Sequence, residues 1–264
     1  MNILDTIIAH KKVEVEKQKQ LKPARELEKG FFFKNETRSF KEYLLRIDKT
    51  GIIAEFKRKS PSKGIINDSV DVKEVTSGYA KYGASALSVL TDENFFGGSM
   101  DDLLAATINA IPILRKDFII DEYQLIESKS YGAEIILLIA ACLSKEEVKN
   151  LSSFAKNIGL SVLLEIHNKH EMAHICDSID VVGVNNRDLK TFVVDINRSV
   201  ELSEMIPQSM IKISESGIDD PSSIQLLRKY GYSGFLIGEK FMKHPDPAIA
   251  FAQFAEQLKD ETCE

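Results

Sequence analysis

Several ionisable side chains of this chain stand where short apolar runs give way to polar sequence. Glu55 and Lys57 close the run Gly51–Phe56, two positions apart and so on one face if the run is a strand. Lys116 follows Ile111–Leu114, Glu165 sits near the end of Leu160–Ile166, Asn185 and Arg187 follow Asp180–Val184, and Glu215 follows Met210–Ile213. A lysine ammonium beside a carboxylate can give a proton at one atom and take one at another, the outfit of general acid–base chemistry. Burying such groups without partners is costly, so they must pair with one another, bind a charged ligand, or both. Two further strings, Glu215–Ser216–Gly217 and Ile237–Gly238–Glu239, lead through a turn into a helix. Glycine there lets backbone N–H groups approach an anion, and a helix N-terminus favours negative charge, so a phosphate is expected at these turns. Glu239 is expected to turn its N–H to that ligand and its side chain away.

These residues need elements that bring them together. Eight short runs, rich in β-branched residues and leucine, recur along the chain: Gly51–Phe56, Ser85–Leu90, Ile111–Leu114, Glu134–Ile139, Leu160–Ile166, Asp180–Val184, Met210–Ile213 and Gly234–Ile237. Their near-continuous apolarity fits parallel strands buried on both faces. The segments between them read as helices. Ser144 with Glu147 forms a capping box ahead of the stripe Val148, Leu151, Phe154, Ala155 and Ile158. Asp121 with Gln124 is a similar start, and Asp220–Pro221 places a cap before a proline at the first helical turn. The expected fold is an α/β barrel of eight βα units, with an open doubly wound sheet as the alternative that pattern leaves open. The chain reads as one domain over residues 1–264. Residues 1–50 form a helical extension that either covers one end of the barrel, frames the entrance, or packs on the outer helices. In a barrel, chemistry lies where strands end and βα loops begin, which gathers the residues named above at one mouth.

Composition narrows the partners. The chain has 264 residues, 44% hydrophobic and 28% charged, with a net charge of −6. That balance supports a sizeable core and argues against nucleic acid or an anionic membrane held by bulk electrostatics. Cys142, Cys176 and Cys263 are far apart and odd in number, so neither a disulfide framework nor a structural zinc site is expected. No signal-like or membrane-length apolar run occurs, which suits a cytoplasmic protein. His167, His170 and His174 share a helical spacing but are expected to be surface residues of the outer ring, with no metal bound. His10–Lys11–Lys12, interleaved with Glu14 and Glu16, reads as a solvated helix face. Phe31–Phe33 is expected to pack the extension onto the barrel.

The strand-end strings closely resemble the indole-3-glycerol phosphate synthase family. The matching stretches are IIAEFKRKSPSKG (52–64), ALSVLTDENFFGGS (86–99), PILRKDFIIDEYQLIESKSYGAEIILLI (112–139), LLEIHN (163–168), VVGVNNRDLKTFVVD (181–195), ISESGI (213–218) and GFLIGEKFM (234–242). The resemblance implies cyclisation of 1-(2-carboxyphenylamino)-1-deoxyribulose 5-phosphate to indole-3-glycerol phosphate, with loss of carbon dioxide and water, in tryptophan biosynthesis. It implies no cofactor, because the iminium formed by ring closure is its own electron sink. By the same resemblance Lys116 is the general acid of ring closure, with Lys57 the other candidate, and Glu165 handles protons in the dehydration. Glu55 holds a lysine. Asn185 and Arg187 meet the anthranilate end, with Ser60 near and Phe118 lining the ring pocket. Glu215 belongs to the substrate site, and Ser216, Gly217, Gly238 and Glu239, with Lys57, meet the phosphate. The only partner implied is this small phosphorylated molecule, bound by a monomer. Another phosphate-binding barrel, such as phosphoribosylanthranilate isomerase, would call for a different acid/base pair. A barrel without chemistry would be favoured by loss of Lys116 or Glu165, and both are present. Arg58–Lys59 adds two cations to the first loop and reads as solvated. No fused isomerase domain is expected after residue 264.

Overall fold

The apolar runs close into a ring. The computed structural model describes residues 3–260, so Cys263 lies outside the described residues. Its eight parallel strands are β1 (Ile52–Phe56), β2 (Ala86–Leu90), β3 (Ile113–Lys116), β4 (Ile135–Ile139), β5 (Ser161–Ile166), β6 (Val181–Asn185), β7 (Ile211–Glu215) and β8 (Tyr232–Ile237). β1 pairs with β2 through Ile53↔Ala86 and with β8 through Ile52↔Phe235, which closes the barrel and removes the doubly wound alternative. Four helices precede β1: α1 (Ile3–Leu21), α2 (Ala24–Leu27), α3 (Phe31–Lys34) and α4 (Phe40–Leu45). The crossovers carry α5 (Val72–Lys81), α6 (Glu93–Phe96), α7 (Met100–Ala106), α8 (Glu122–Ser130), α9 (Lys145–Asn157), α10 (Asn197–Ser203) and α11 (Pro221–Lys229), and α12 (Glu239–Met242) with α13 (Pro247–Asp260) follow β8. Asp121, Ser144 and Asp220 cap α8, α9 and α11 as their spacing predicts, and Ser144 with Glu147 completes the capping box. One crossover departs from expectation. Between β5 and β6, the shortest link in the barrel, a 3-10 segment, Lys169–His174, replaces an α-helix.

Alternation along the strands decides what each residue meets. Ile52, Ala54 and Phe56 face the helices with Ile113, Ile136, Leu138 and Leu164, while Ile53, Ala86, Leu114, Ile135, Leu137, Leu163, Val181, Ile213 and Leu236 fill the interior. Two residues on from an interior apolar side chain the same face continues, and there the chemistry changes. Ile53 leads to Glu55, Leu114 to Lys116, Leu163 to Glu165 and Ile213 to Glu215. The barrel is therefore apolar at its lower layers and ionisable at the top. Arg115, one residue off this face, points outward instead and is buried against Glu127 at 2.8 Å and Asp117 at 3.0 Å.

The extension serves both ends of the barrel. Phe40 and Leu44 of α4 are buried in the interior cluster and plug its lower end. Ile3, Leu4 and Ile7 of α1 border the opposite mouth. Lys11 corrects the expectation of a solvated face. Its side chain is 0% exposed, with Nζ 2.9 Å from Asp92 and 3.0 Å from Asp117, which are themselves buried. Both carboxylates follow strands of the ring, so this lysine ties α1 to the ends of β2 and β3. Phe33 packs against the cluster of Val15, Leu27, Tyr123 and Ile126, whereas Phe31 remains 73% exposed. Arg58 is held by Asp102, with NH2–Oδ1 at 2.9 Å, rather than free in its loop.

Phe40→Ala opens a cavity in the barrel floor and is expected to cost about 3–5 kcal/mol in urea unfolding. Phe31→Ala, at an exposed ring, should change stability by no more than about 0.5 kcal/mol. Equal effects would show that the α4 plug carries no packing energy.

Candidate active site

The interior face delivers its ionisable residues to one pocket. Glu55, Lys57, Ser60, Lys116, Phe118, Glu165, Asn185, Arg187, Glu215, Ser216 and Glu239 all line the mouth, and Gly217 and Gly238 line the continuous recess after β7 and β8. Every residue expected at the site is thus gathered there. At its centre Lys116 Nζ lies 2.9 Å from Glu165 Oε2 and 3.6 Å from Glu215 Oε2. Lys57 Nζ lies 2.7 Å from Glu55 Oε1, so that lysine is held by its strand-mate. Asn185 Oδ1 accepts the Arg187 N–H at 3.0 Å.

Burial and charge divide these groups into forms with different work to do. Burial would strip the Lys116 proton, but Glu165, Glu215 and Glu55 outweigh it and hold the ammonium charged well above the ordinary lysine range. Burial would likewise raise Glu165, yet Lys116 and His167 win and keep it ionised far below the usual carboxylate value. Glu215 goes the other way. Burial, with Glu165 and Glu55 adding to it against the pull of Lys116, pushes its carboxyl up to about 8. One carboxylate and one neutral acid therefore flank the same ammonium, a division typical of acid–base sites.

Close backbone approach makes room for two of these carboxyl groups. A Cβ at Gly183 would stand 2.3 Å from Glu215 Oε1, and one at Gly238 would stand 2.6 Å from Glu55 Oε1. Ser216 and Gly217 both take positive φ, 68° and 73°, and both line the recess after β7 and β8 with Gly238 and Glu239. Glu239 departs from expectation. Its side chain does not turn away from the mouth but reaches Arg187 at 3.3 Å and Lys63 at 3.7 Å, since those cations are its nearest means of neutralisation. Phe96 and Phe118, with ring centroids 6.1 Å apart, form an aromatic wall, of which sequence reasoning supplied only Phe118.

Sequence reasoning also misplaced His167. It is buried, with Nε2 3.2 Å from Glu165 Oε1 and Nδ1 3.4 Å from Glu171 Oε2. Its position two residues after Glu165 was the available signal, because the interior face runs on past the strand end. His170 is exposed, and no group of His, Cys, Asp and Glu among the described residues is arranged to hold a metal.

The raised Glu215 value has a testable sign. Between the ordinary glutamate value of 4.5 and about 8, the folded protein keeps a proton that the unfolded chain has released. Stability from this group is therefore full at low pH, falls as pH rises through that window, and levels off above it. In Glu215→Gln, melting temperature followed from about pH 5 to about pH 9 should fall less than in the parent protein. Parallel curves would show that Glu215 ionises normally.

Comparison with known proteins agrees with this geometry. A family described as indole-3-glycerol phosphate synthase matches residues 4–254. Proteins named indole-3-glycerol phosphate synthase are similar over nearly their whole lengths. One from Bacteroides thetaiotaomicron is 47% identical, covering 98% of this chain and 99% of its own. One from Thermoanaerobacter pseudethanolicus is 42% identical, covering 97% and 98%, and one from Bordetella pertussis 38%, covering 96% and 98%. With an eight-stranded barrel whose mouth holds the lysines and glutamates of the family strings, the chain belongs to the indole-3-glycerol phosphate synthase family.

Proposed function

We propose that this protein closes the indole ring of indole-3-glycerol phosphate from 1-(2-carboxyphenylamino)-1-deoxyribulose 5-phosphate. The observation that carries the reading is the Lys116–Glu165 contact of 2.9 Å at the floor of a pocket with an aromatic wall and an anion-accepting rim. The phosphate lies against the N–H groups of Ser216, Gly217, Gly238 and Glu239, with Lys57 supplying charge. Phe96 and Phe118 bracket the aryl ring, and Arg187 meets its carboxylate, with Asn185 fixing the Arg187 backbone and Ser60 at the pocket wall. This arrangement aims the ribulose C2′ carbonyl at Lys116.

The aryl carbon bearing the carboxylate then bonds to C2′, and the carbonyl oxygen takes a proton from the Lys116 ammonium. An ammonium already charged and fixed between carboxyl groups stabilises that oxygen as negative charge develops, with little reorganisation at the moment of reaction. The carbon–carboxylate bond breaks next, its electron pair returning to the iminium, and carbon dioxide leaves. That step restores the benzene ring. The C2′ hydroxyl then takes a proton from Lys116, recharged by solvent water, and departs as water. Glu165, held ionised, removes the C1′ proton, so that the C1′–C2′ double bond completes the indole. Glu215, neutral at pH 7, avoids adding a second negative charge beside Glu165 as the dianionic phosphate enters. Every proton is moved by a side chain or water, and the ring system supplies the electron sink.

Purified protein given this substrate in EDTA should develop indole fluorescence. Lys116→Ala and Glu165→Gln should each lower turnover by roughly a hundredfold or more. Absence of indole in the parent protein would refute the reading, and near-normal turnover in either variant would refute that residue's role.

A further inference from the structure

The carboxylate of Glu165 has two oxygens, and the reaction uses the one turned to Lys116. The other, Oε1, meets the His167 ring at 3.2 Å. His167 is fixed from behind. Glu171 Oε2 lies 3.4 Å from its Nδ1 and accepts its backbone N–H at 2.7 Å, and Glu171 Oε1 accepts from Asn168 Nδ2 at 2.6 Å. Glu171 stands there because the β5–β6 link is a 3-10 turn capped by Asn168 rather than an α-helix leading away from the rim. The result is a buried carboxylate–imidazole–carboxylate row running from the mouth toward the outer edge of the barrel.

We propose that His167 is a positioning residue for the Glu165 carboxylate: braced by Glu171, its ring occupies Oε1 and leaves Oε2 turned to Lys116 and the substrate. The proposal rests on the reading of Glu165 as a group of the reaction. Its physical logic is that of a histidine whose second nitrogen is fixed by a carboxylate, which sets ring orientation and charge. Without that cation, Glu165 would have Lys116 as its only strong partner, and either oxygen could face it. Burial opposes charge on His167, but Glu165 and Glu171 together raise it to about 9, so the ring is charged at neutral pH. The other titratable groups around the row are Lys116 from β3, Glu215 from β7, Cys142 from the turn after β4 and, on the same 3-10 turn as Glu171, His174, whose Nδ1 lies 3.1 Å from the Glu171 carbonyl oxygen. Burial, with Glu165 and Glu171 near, drives the Cys142 thiol well above the ordinary range and keeps it neutral. Glu215, at about 8, titrates close to His167, so the two steps must be separated by variants.

Imidazole resonances of isotope-labelled protein give the direct reading, with His167→Gln assigning one of the five histidines. The expected result is one ring titrating near 9 that moves down by about a unit or more in both Glu171→Gln and Glu165→Gln, as loss of an adjacent opposite charge requires. Kinetically, His167→Gln should lower kcat roughly ten- to a hundredfold with KM changed less than about threefold, and should remove the alkaline limb near 9 from the kcat profile. Glu215→Gln should leave that limb in place. The proposal is overturned if no histidine titrates above about 8 in the parent protein, if Glu165→Gln leaves the His167 resonance unmoved, or if His167→Gln turns over normally. If His167→Gln does not fold, the one imidazole that moves in both Glu165→Gln and Glu171→Gln assigns itself, and the absence of any such ring overturns the proposal. A parent protein that makes no indole while His167 still responds to Glu165→Gln would sink the assigned reaction and leave this contact standing.

Discussion

One ammonium among three glutamates organises this molecule. Lys116 touches Glu165 and Glu215 and feels Glu55, and none of the four can change without shifting the charge of the others. Such a group, largely buried at the mouth, must be neutralised nearly charge for charge, because each uncompensated buried ion takes a large share of the stability of a typical domain. The surrounding structure reads as the means of keeping that balance. Lys57 offsets Glu55, His167 offsets Glu165, and Glu215 remains protonated. Gly183 and Gly238 give two of the carboxyl groups space that any side chain would deny.

A second network lies directly behind the first and supports it. Asp117, next in sequence to Lys116, is fixed by Arg115, Thr91 and Lys11. It also accepts the N–H of Phe118 at 2.8 Å, and Asp92 caps the short helix that bears Phe96. The aromatic wall and the N-terminal helix therefore share the same buried carboxylates. Backbone strain collects at the rim as well. Phe192 and Ser216, the two non-glycine residues of positive φ among the described residues, both line the mouth. Strain of this kind persists where a rigid scaffold over-determines it and commonly marks a ligand site.

Much of this was legible from local pattern. Near-continuous apolar runs located the strands, and the ionisable residues where those runs give way to polar sequence picked out Glu55, Lys116, Glu165 and Glu215. Capping signals at Asp121, Ser144 and Asp220 placed helix starts because their chemistry is confined to one turn. What pattern could not supply was pairing between distant segments. Lys11 resembles any lysine of an amphipathic helix until Asp92 and Asp117, 81 and 106 positions further on, are brought against it. His167 was read by helical spacing with His170 and His174, whereas the strand's own period, applied one step further, puts it beside Glu165. Glu239 was expected to turn away because a phosphate was imagined before the cations Arg187 and Lys63 were placed next to it.

The central claim is the unequal protonation of the two glutamates that flank Lys116. Carbon-13 NMR of the glutamate carboxyl groups, followed across pH in the unliganded protein, tests it most directly. The account predicts one buried carboxyl, Glu215, that stays protonated at neutrality and titrates near 8, and another, Glu165, that remains ionised well below the ordinary range. Two carboxyls titrating together near the unperturbed value of about 4.3 would contradict it.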